Sequence, residues 1–324
     1  VSSPPILAEG LQRSFGSLVA VDGIDLQVEE GEIFGFLGPN GAGKSTTVRM
    51  LVTLLKPTGG SAHVAGFSVV DQPNMVRRSI GVALQDAAID PLMTGNELLN
   101  LQAILHGLGS KVAHVRSGEL LERVGLTAAG DRRVGTYSGG MRRRLDLALA
   151  LIHRPTVLFL DEPTTGLDPT SRQSMWEEVR ALNKEGTTVF LTTQYLEEAD
   201  HLAGRIAIID GGHIVRQGDP AVLKDQVGEP TLRIEIGDQI MLDTAKAVLS
   251  SFGEWRPARH GRLAIGLAGG AARLADVIRS LDAQGVPVAH IELDTPSLDD
   301  VFSDATGRRI EGATDDNEEG DSES

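Results

Sequence analysis

At 324 residues, with 41% apolar and 23% charged side chains, the chain has the composition of a globular protein and room for one large and one small domain. It contains no cysteine, which excludes disulfides, thiolate zinc sites, iron–sulfur clusters and cysteine nucleophiles. The formal charge of −15 is unevenly placed: seven acids and no base follow from Glu311 onward, leaving 30 bases against 38 acids, a formal −8, in the first 310 residues. No stretch approaches the ~18 consecutive apolar residues of a bilayer-spanning helix. Val1-Ser2-Ser3-Pro4-Pro5 lacks a basic and an apolar signal region, so a cytoplasmic address is the expectation.

From Ile6 to about Gly218, short aliphatic runs alternate with segments of helical period, the pattern of an α/β domain with a largely parallel sheet. Strands are expected at Ile33 to Leu37, Thr156 to Leu160, Thr188 to Thr192 and Arg205 to Ile209. Between Pro91 and Tyr137 the strand pattern gives way to helices, opened by the capping-box spacing of Thr94-Gly95-Asn96-Glu97. This reads as a helical subdomain, about residues 86–140, inserted in a domain spanning 1–220. After Pro220 the pattern changes. Leu232/Ile234/Ile236, Leu263/Ile265/Leu267 and Val286 to Leu293 read as strands, Ile240 to Phe252 and Ala271 to Gln284 as helices. With a possible short strand near Trp255, residues 221–306 suit a small α+β unit of ferredoxin-like type. A last helix opens at Ser297, with Leu298, Val301 and Phe302 on its apolar face. Residues 307–324 form an acidic tail, whose Gly/Ser/Asp/Glu run from Glu311 onward has nothing apolar to bury and is expected to be disordered.

The chemistry concentrates in the first domain. Gly38-Pro39-Asn40-Gly41-Ala42-Gly43-Lys44-Ser45, with Thr46 after it, fits G-x-x-x-x-G-K-[ST] between an expected strand and helix. Its backbone amides suit phosphate oxygens, Lys44 the β- and γ-phosphates, and Ser45 a Mg²⁺ ion. Val157-Leu158-Phe159-Leu160 is an apolar strand ending in Asp161 and Glu162, where an open α/β sheet places ligand chemistry. Asp161 is suited to hold Mg²⁺ and Glu162 to polarise an attacking water as general base. A solvated strand end is the alternative for a lone Asp-Glu pair. Tyr137-Ser138-Gly139-Gly140-Met141, feeding a helix, is a second anion-binding helix start. Arg142, Arg143 and Arg144 read as a solvated or subunit-facing surface, and no aromatic interleaving supports nucleic-acid binding. Eight scattered histidines lack zinc spacing.

The ordered set GPNGAGKS, YSGGM, VLFLDEP, TGLD and LTTQYLEEAD resembles the ATP-binding subunit of an ABC transporter. Within that superfamily, YSGGMRRRLD, FLDEPTTGLDP and LTTQYLEEAD are similar to the daunorubicin/doxorubicin-resistance type of drug-export ATPase. The resemblance is strong over about residues 6–220 and far weaker in the C-terminal unit, which resembles an accessory domain of that branch. It implies the fold class: a P-loop NTPase ABC cassette with an inserted helical subdomain, plus a ferredoxin-like C-terminal domain. It also implies ATP and Mg²⁺ as ligands. Phe15 matches the adenine-stacking aromatic, with a core phenylalanine as the alternative. Gln85 matches the glutamine that touches Mg²⁺ and the lytic water while sensing a transmembrane partner. Ser138, Gly139 and Gly140 match the signature that binds the γ-phosphate held by the opposite subunit, and Asp168 the aspartate that couples the two sites. Two copies would then sandwich two ATP molecules.

The implied partners are an integral membrane permease on a separate chain and a second copy of this chain. Nucleic acid is not expected, and membrane contact would run through the permease at the cytoplasmic face. The sequence departs from the superfamily at Tyr137 and Met141, and at Gln194, which stands where most members carry a switch histidine. An amide donates a hydrogen bond but does not titrate near neutral pH. The implied activity is ATP hydrolysis driving export of a drug-like compound. A soluble ABC ATPase acting on a macromolecular partner is the alternative, and Gln194 leaves a purely regulatory cassette open.

Overall fold

The apolar runs of the first 220 residues assemble into two sheets in a computed structural model that describes residues 3–84, 89–237, 239–258 and 262–307. Chain order is β1 (Ile6–Phe15), β2 (Leu18–Val28), β3 (Ile33–Leu37), α1 (Lys44–Leu51), β4 (Gly59–Val64), β5 (Phe67–Ser68), α2 (Pro73–Ser79) and β6 (Ile80–Ala83). Helices α3 (Gly95–Leu105), α4 (Ser110–Arg123) and α5 (Gly139–Ala150) follow. Then come β7 (Val157–Asp161), α6 (Pro169–Lys184), β8 (Thr188–Thr193), α7 (Leu196–Leu202), β9 (Arg205–Asp210) and β10 (His213–Gly218).

One sheet is antiparallel, in the order β2-β1-β4-β5; the other runs β10-β9-β3-β8-β7-β6 and is parallel except for β10. Burial on both faces explains why the central strands are unbroken apolar runs rather than alternating ones. On β7, Val157 and Phe159 face the antiparallel sheet while Leu158 and Leu160 face the helices. Phe190 of β8 centres an aromatic cluster on the first face, 5.8 Å from Phe34 and 5.5 Å from both Phe36 and Phe159. The opposite face packs Leu99, Leu120, Leu145, Met175, Trp176 and Val179 against Leu158, Leu160, Val189 and Leu191.

Parallel pairing levels the carboxyl ends of the strands. Leu37 lies opposite Thr193, Asp161 opposite Thr192, and Ala83 opposite Leu160. The segments that leave this sheet edge include Gly38–Gly43 after β3, Leu84 after β6, Glu162 after β7 and Gln194 after β8. An open sheet with crossover helices gathers ligand groups at this edge. The helical stretch between β6 and β7 begins at Thr94, whose hydroxyl accepts from the Glu97 amide at 3.2 Å while the Glu97 carboxylate accepts from the Thr94 amide at 2.8 Å. That reciprocal cap satisfies two donors that a helix start otherwise leaves open.

The second compact unit starts at Ala221. After α8 (Pro220–Val227) it comprises β11 (Thr231–Ile236), α9 (Leu242–Leu249), β12 (Arg262–Gly266), α10 (Leu274–Ala283), β13 (Val288–Asp294) and α11 (Leu298–Thr306). Its antiparallel sheet has the order β12-β11-β13, and Leu232, Ile234, Leu249, Ile265, Val277 and Leu281 form its core. The expected fourth strand near Trp255 shortens to one bridge, Trp255 to Ile265, flanked by Gly266 donating to the Glu254 carbonyl and Arg256 to the Ala264 carbonyl. Leu298, Val301 and Phe302 are buried on α11, the face their spacing predicts. The acidic tail lies outside the described residues.

Candidate active site

The loop from Gly38 to Gly43 closes tightly against its own unit, and two glycines show why. A Cβ on Gly38 would stand 2.2 Å from the Ile209 carbonyl oxygen. Gly43 has φ +113, and a Cβ there would stand 2.6 Å from the Ala20 carbonyl oxygen. Only glycine fits such approaches. Gly43 is the cap of α1, so Lys44, Ser45 and Thr46 form its first turn, where unpaired amides and the helix dipole favour an anion.

Lys44 is 4% exposed. Its ammonium donates to the Gly38 carbonyl at 2.7 Å and the Pro39 carbonyl at 3.1 Å, and lies 3.7 Å from Glu162 Oε1. Burial pulls its pKa below the usual lysine value, against the raising fields of Glu162 and Asp161. Asp161 is buried at the end of β7, where the Thr192 hydroxyl donates to its Oδ1 at 2.5 Å. β8 thus fixes the carboxylate plane through the neighbouring strand.

Glu162 is 5% exposed and has φ +49, a left-handed conformation that costs a non-glycine residue roughly 1–2 kcal/mol. Several contacts hold it there. Its amide donates to the Thr192 carbonyl at 3.0 Å, its carbonyl accepts from Arg143 Nη2 at 3.2 Å, and its Oε2 accepts from the Thr165 hydroxyl at 3.2 Å. Strain of this kind aims the carboxylate back at Lys44 rather than along the strand.

The other expected site residues fall around this cluster in different ways. Asn40, Gly41 and Ala42 complete the loop. Ser138 caps α5, accepting from the Met141 amide at 3.2 Å, with Gly139 and Gly140 in the first turn. Asp168 caps α6, accepting from the Ser171 amide at 3.0 Å; hydrogen bonds from the Ser171 side chain and then from its amide hold the Asp168 pKa below the usual carboxylate value. Among the described residues neither side chain hydrogen-bonds to the Lys44–Glu162 cluster. Gln194 is half-buried between β8 and α7. Phe15 ends β1 at 46% exposure, so it is not a core phenylalanine; the Arg13 guanidinium lies 4.5 Å over its ring. Gln85 lies outside the described residues.

Thr192, Thr165 and Arg143 are supports that the sequence reading did not single out. Within the arginine run Arg142 is exposed, as expected of a solvated surface, with its guanidinium on the Gly135 carbonyl, whereas Arg143 and Arg144 are half-buried and dock on the carbonyls of Leu84 and Glu162 and of Val124. A fourth support is Glu198 of α7, wholly buried, whose Oε1 accepts from Thr164 at 2.8 Å and Trp176 at 3.1 Å. Burial raises its pKa. Only the register of β7 against β8 could have shown Thr192 beneath Asp161.

A phosphate-binding loop, a buried lysine, a strand-end acid pair and a second glycine-led helix on one α/β unit define a P-loop nucleotide hydrolase of the ABC class. The ABC transporter family model matches residues 21–165, and a model described as the C-terminal domain of DrrA1-3-like ATP-binding proteins matches residues 218–306. Daunorubicin resistance ATP-binding protein DrrA2 of Streptomyces coeruleorubidus is 48% identical over 94% of this chain and 96% of its own length. Doxorubicin resistance ATP-binding protein DrrA of Mycobacterium tuberculosis (strain H37Rv) is 43% identical over 95% and 96%. A solved dimeric bacterial ABC transporter cassette is 26% identical, covers 66% of this chain and 98% of its own, and superposes with a TM-score of 0.62. The chain belongs to the ABC transporter ATP-binding family, in its daunorubicin/doxorubicin-resistance branch, and is an ATP-binding ATPase.

Proposed function

We propose that this chain is the nucleotide-binding subunit of an exporter: two copies close over two ATP molecules, and hydrolysis drives a drug-like or lipophilic compound through a separate integral membrane permease. The observation that carries the reading is similarity to drug-resistance ATP-binding proteins over nearly the whole chain, including the C-terminal unit. Among the described residues no helix is long and apolar enough to cross a membrane, so a spanning path would come from another chain. Leu101, Ile104 and Leu105 expose apolar surface toward the end of α3, support for a partner docking on the helical region and for a peripheral place at the cytoplasmic face.

In this reading the loop amides, with Lys44 and Thr46, bind the phosphates of ATP. Phosphate oxygens take over the ammonium from the Gly38 and Pro39 carbonyls and the Glu162 carboxylate. The oxygen donors of Ser45, Asp161 and Gln85 suit a hard cation; Asp161 is buried beside Lys44 with Oδ1 fixed by the Thr192 hydroxyl. Such a Mg²⁺ ion would neutralise charge developing on the phosphates. Glu162 orients water and takes its proton as general base. Gln194 donates an amide hydrogen bond to the γ-phosphate, and Phe15 stacks on adenine. Ser138 and Asp168, whose side-chain hydrogen bonds among the described residues are helix caps, serve the site of the second copy together with Gly139 and Gly140.

Purification of the tagged chain from detergent-solubilised membranes of its host tests the export reading. Recovery of an integral membrane protein together with ATP hydrolysis is expected. Recovery of ribosomes or DNA-bound proteins instead, with the chain absent from membranes, would overturn it.

A further inference from the structure

Arg142, Arg143 and Arg144 stand side by side on α5, but their guanidinium groups reach different places. Arg142 and Arg144 bond to carbonyls of the helical region. Arg143, five residues after Ser138, instead crosses to the sheet edge. Its Nη1 donates to the Leu84 carbonyl at 3.1 Å and its Nη2 to the Glu162 carbonyl at 3.2 Å. Asp146, one turn on, places Oδ2 3.7 Å from Nη1 and orients the group; the two side chains are 14% and 11% exposed.

One planar fork therefore ties three segments together: the helix headed by Ser138, the exit of β6 immediately before Gln85, and the exit of β7 at Glu162. A guanidinium suits carbonyls on two separate segments because its Nη1 and Nη2 donate from fixed, separated points, whereas an ammonium donates from one. The bonded carbonyl belongs to the residue with φ +49, so the contact bears directly on the strained segment that aims the carboxylate. A shift of α5 would pull on that carbonyl before it touched Lys44 or the loop amides.

We propose that Arg143 is a positioning residue for hydrolysis: by clamping the Leu84 and Glu162 carbonyls it makes the aim of the Glu162 carboxylate depend on the placement of the helix led by Ser138. The inference rests on the general-base role of Glu162. Among the described residues the Arg143 guanidinium bonds to the Leu84 and Glu162 carbonyls and pairs with Asp146, rather than with Lys44 or the loop amides, so its loss acts on turnover and spares binding.

The test is a double-mutant cycle on the purified full chain, with Arg143→Ala, Glu162→Gln and the pair, measuring kcat and KM for MgATP and the Kd of a fluorescent ATP analogue. Arg143→Ala is expected to lower kcat by about tenfold or more, with KM and Kd within about threefold of wild type. In the Glu162→Gln background the same change is expected to lower residual turnover no further, because the group it positions is already gone. Arg143→Lys, which keeps the charge and one contact, is expected to fall between. Multiplying losses in the double variant would overturn the proposal, as would a rise in KM and Kd matching the loss of kcat. If Arg143→Ala unfolds, the lysine variant carries the same cycle. Wild-type turnover in Glu162→Gln alone would remove the general base and the clamp with it, whereas normal loss there with additive behaviour would remove the clamp only.

Discussion

Replacing Gly43 by alanine tests the idea that close backbone approach, and not glycine flexibility alone, shapes the phosphate loop. The new methyl meets the Ala20 carbonyl oxygen at 2.6 Å, Ile209 Cδ1 at 3.2 Å and Val21 Cγ2 at 3.4 Å. The first is main chain of β2 and cannot swing aside as a side-chain tip would. A φ of +113 adds backbone strain of about 1–2 kcal/mol, and forcing a methyl into packed surroundings about 1–3 kcal/mol, so the expected loss is about 2–5 kcal/mol. Gly41 is the internal control: φ is +80, but nothing stands within 4 Å of its Cβ position, so Gly41→Ala keeps only the strain of about 1–2 kcal/mol.

Urea unfolding of the ligand-free protein measures both. The chain has two tryptophans, Trp176 buried in the first unit and Trp255 exposed in the second. A Trp255→Phe background lets Trp176 fluorescence report the first unit alone. The structure predicts a clearly larger drop for Gly43→Ala than for Gly41→Ala. Equal losses, or the reverse order, would refute the steric reasoning and reduce both glycines to their dihedral angles.

Phe15→Ala should raise the Kd for ATP by about 5- to 150-fold while kcat moves less than about twofold, since base stacking is worth about 1–3 kcal/mol; an unchanged Kd removes Phe15 from the adenine site. Gln194→Ala should slow turnover by about threefold or more and Gln194→His should be tolerated, because both native and histidine side chains offer a donor to the γ-phosphate; an unchanged rate in the alanine variant shows the position is not catalytic. Burial pushes the Asp146 carboxyl up to about 6, against the lowering field of Arg143. The folded state then binds that proton more tightly than the unfolded one, so this stability is present below about pH 4 and is lost as pH rises through about 6, at up to about 1.4 kcal/mol per pH unit. Urea midpoints of wild type minus Asp146→Asn should therefore fall across that window, and a flat or rising difference contradicts the assignment.

Much of this architecture could be read from one dimension because the deciding patterns are local. Apolar runs such as Val157 to Leu160 report burial on both faces, the Thr94/Glu97 spacing reports its own cap, and the loop before Lys44 sits between a strand and a helix. The supports of the site were not legible for a matching reason. Thr192 lies beneath Asp161 only through the register of β7 on β8, and Arg143 reaches carbonyls 59 and 19 residues away. Side chains that bond to main chain carry no partner signature, so a basic run on an acidic protein read as surface. His106 and His153 stack with centroids 3.8 Å apart although nothing in their spacing joins them. Near Trp255 the expected strand shortens to a single bridge, to Ile265.

The central claim is that the cluster of Lys44, Asp161 and Glu162 is a hydrolytic site in which Glu162 separates binding from chemistry. Glu162→Gln, measured for MgATP hydrolysis and for ATP-dependent association by light scattering, tests it most directly. The account predicts turnover reduced by about a hundredfold or more, ATP binding retained, and a dimer that accumulates with MgATP. Hydrolysis at the wild-type rate, or a chain that stays monomeric at saturating MgATP, would contradict it.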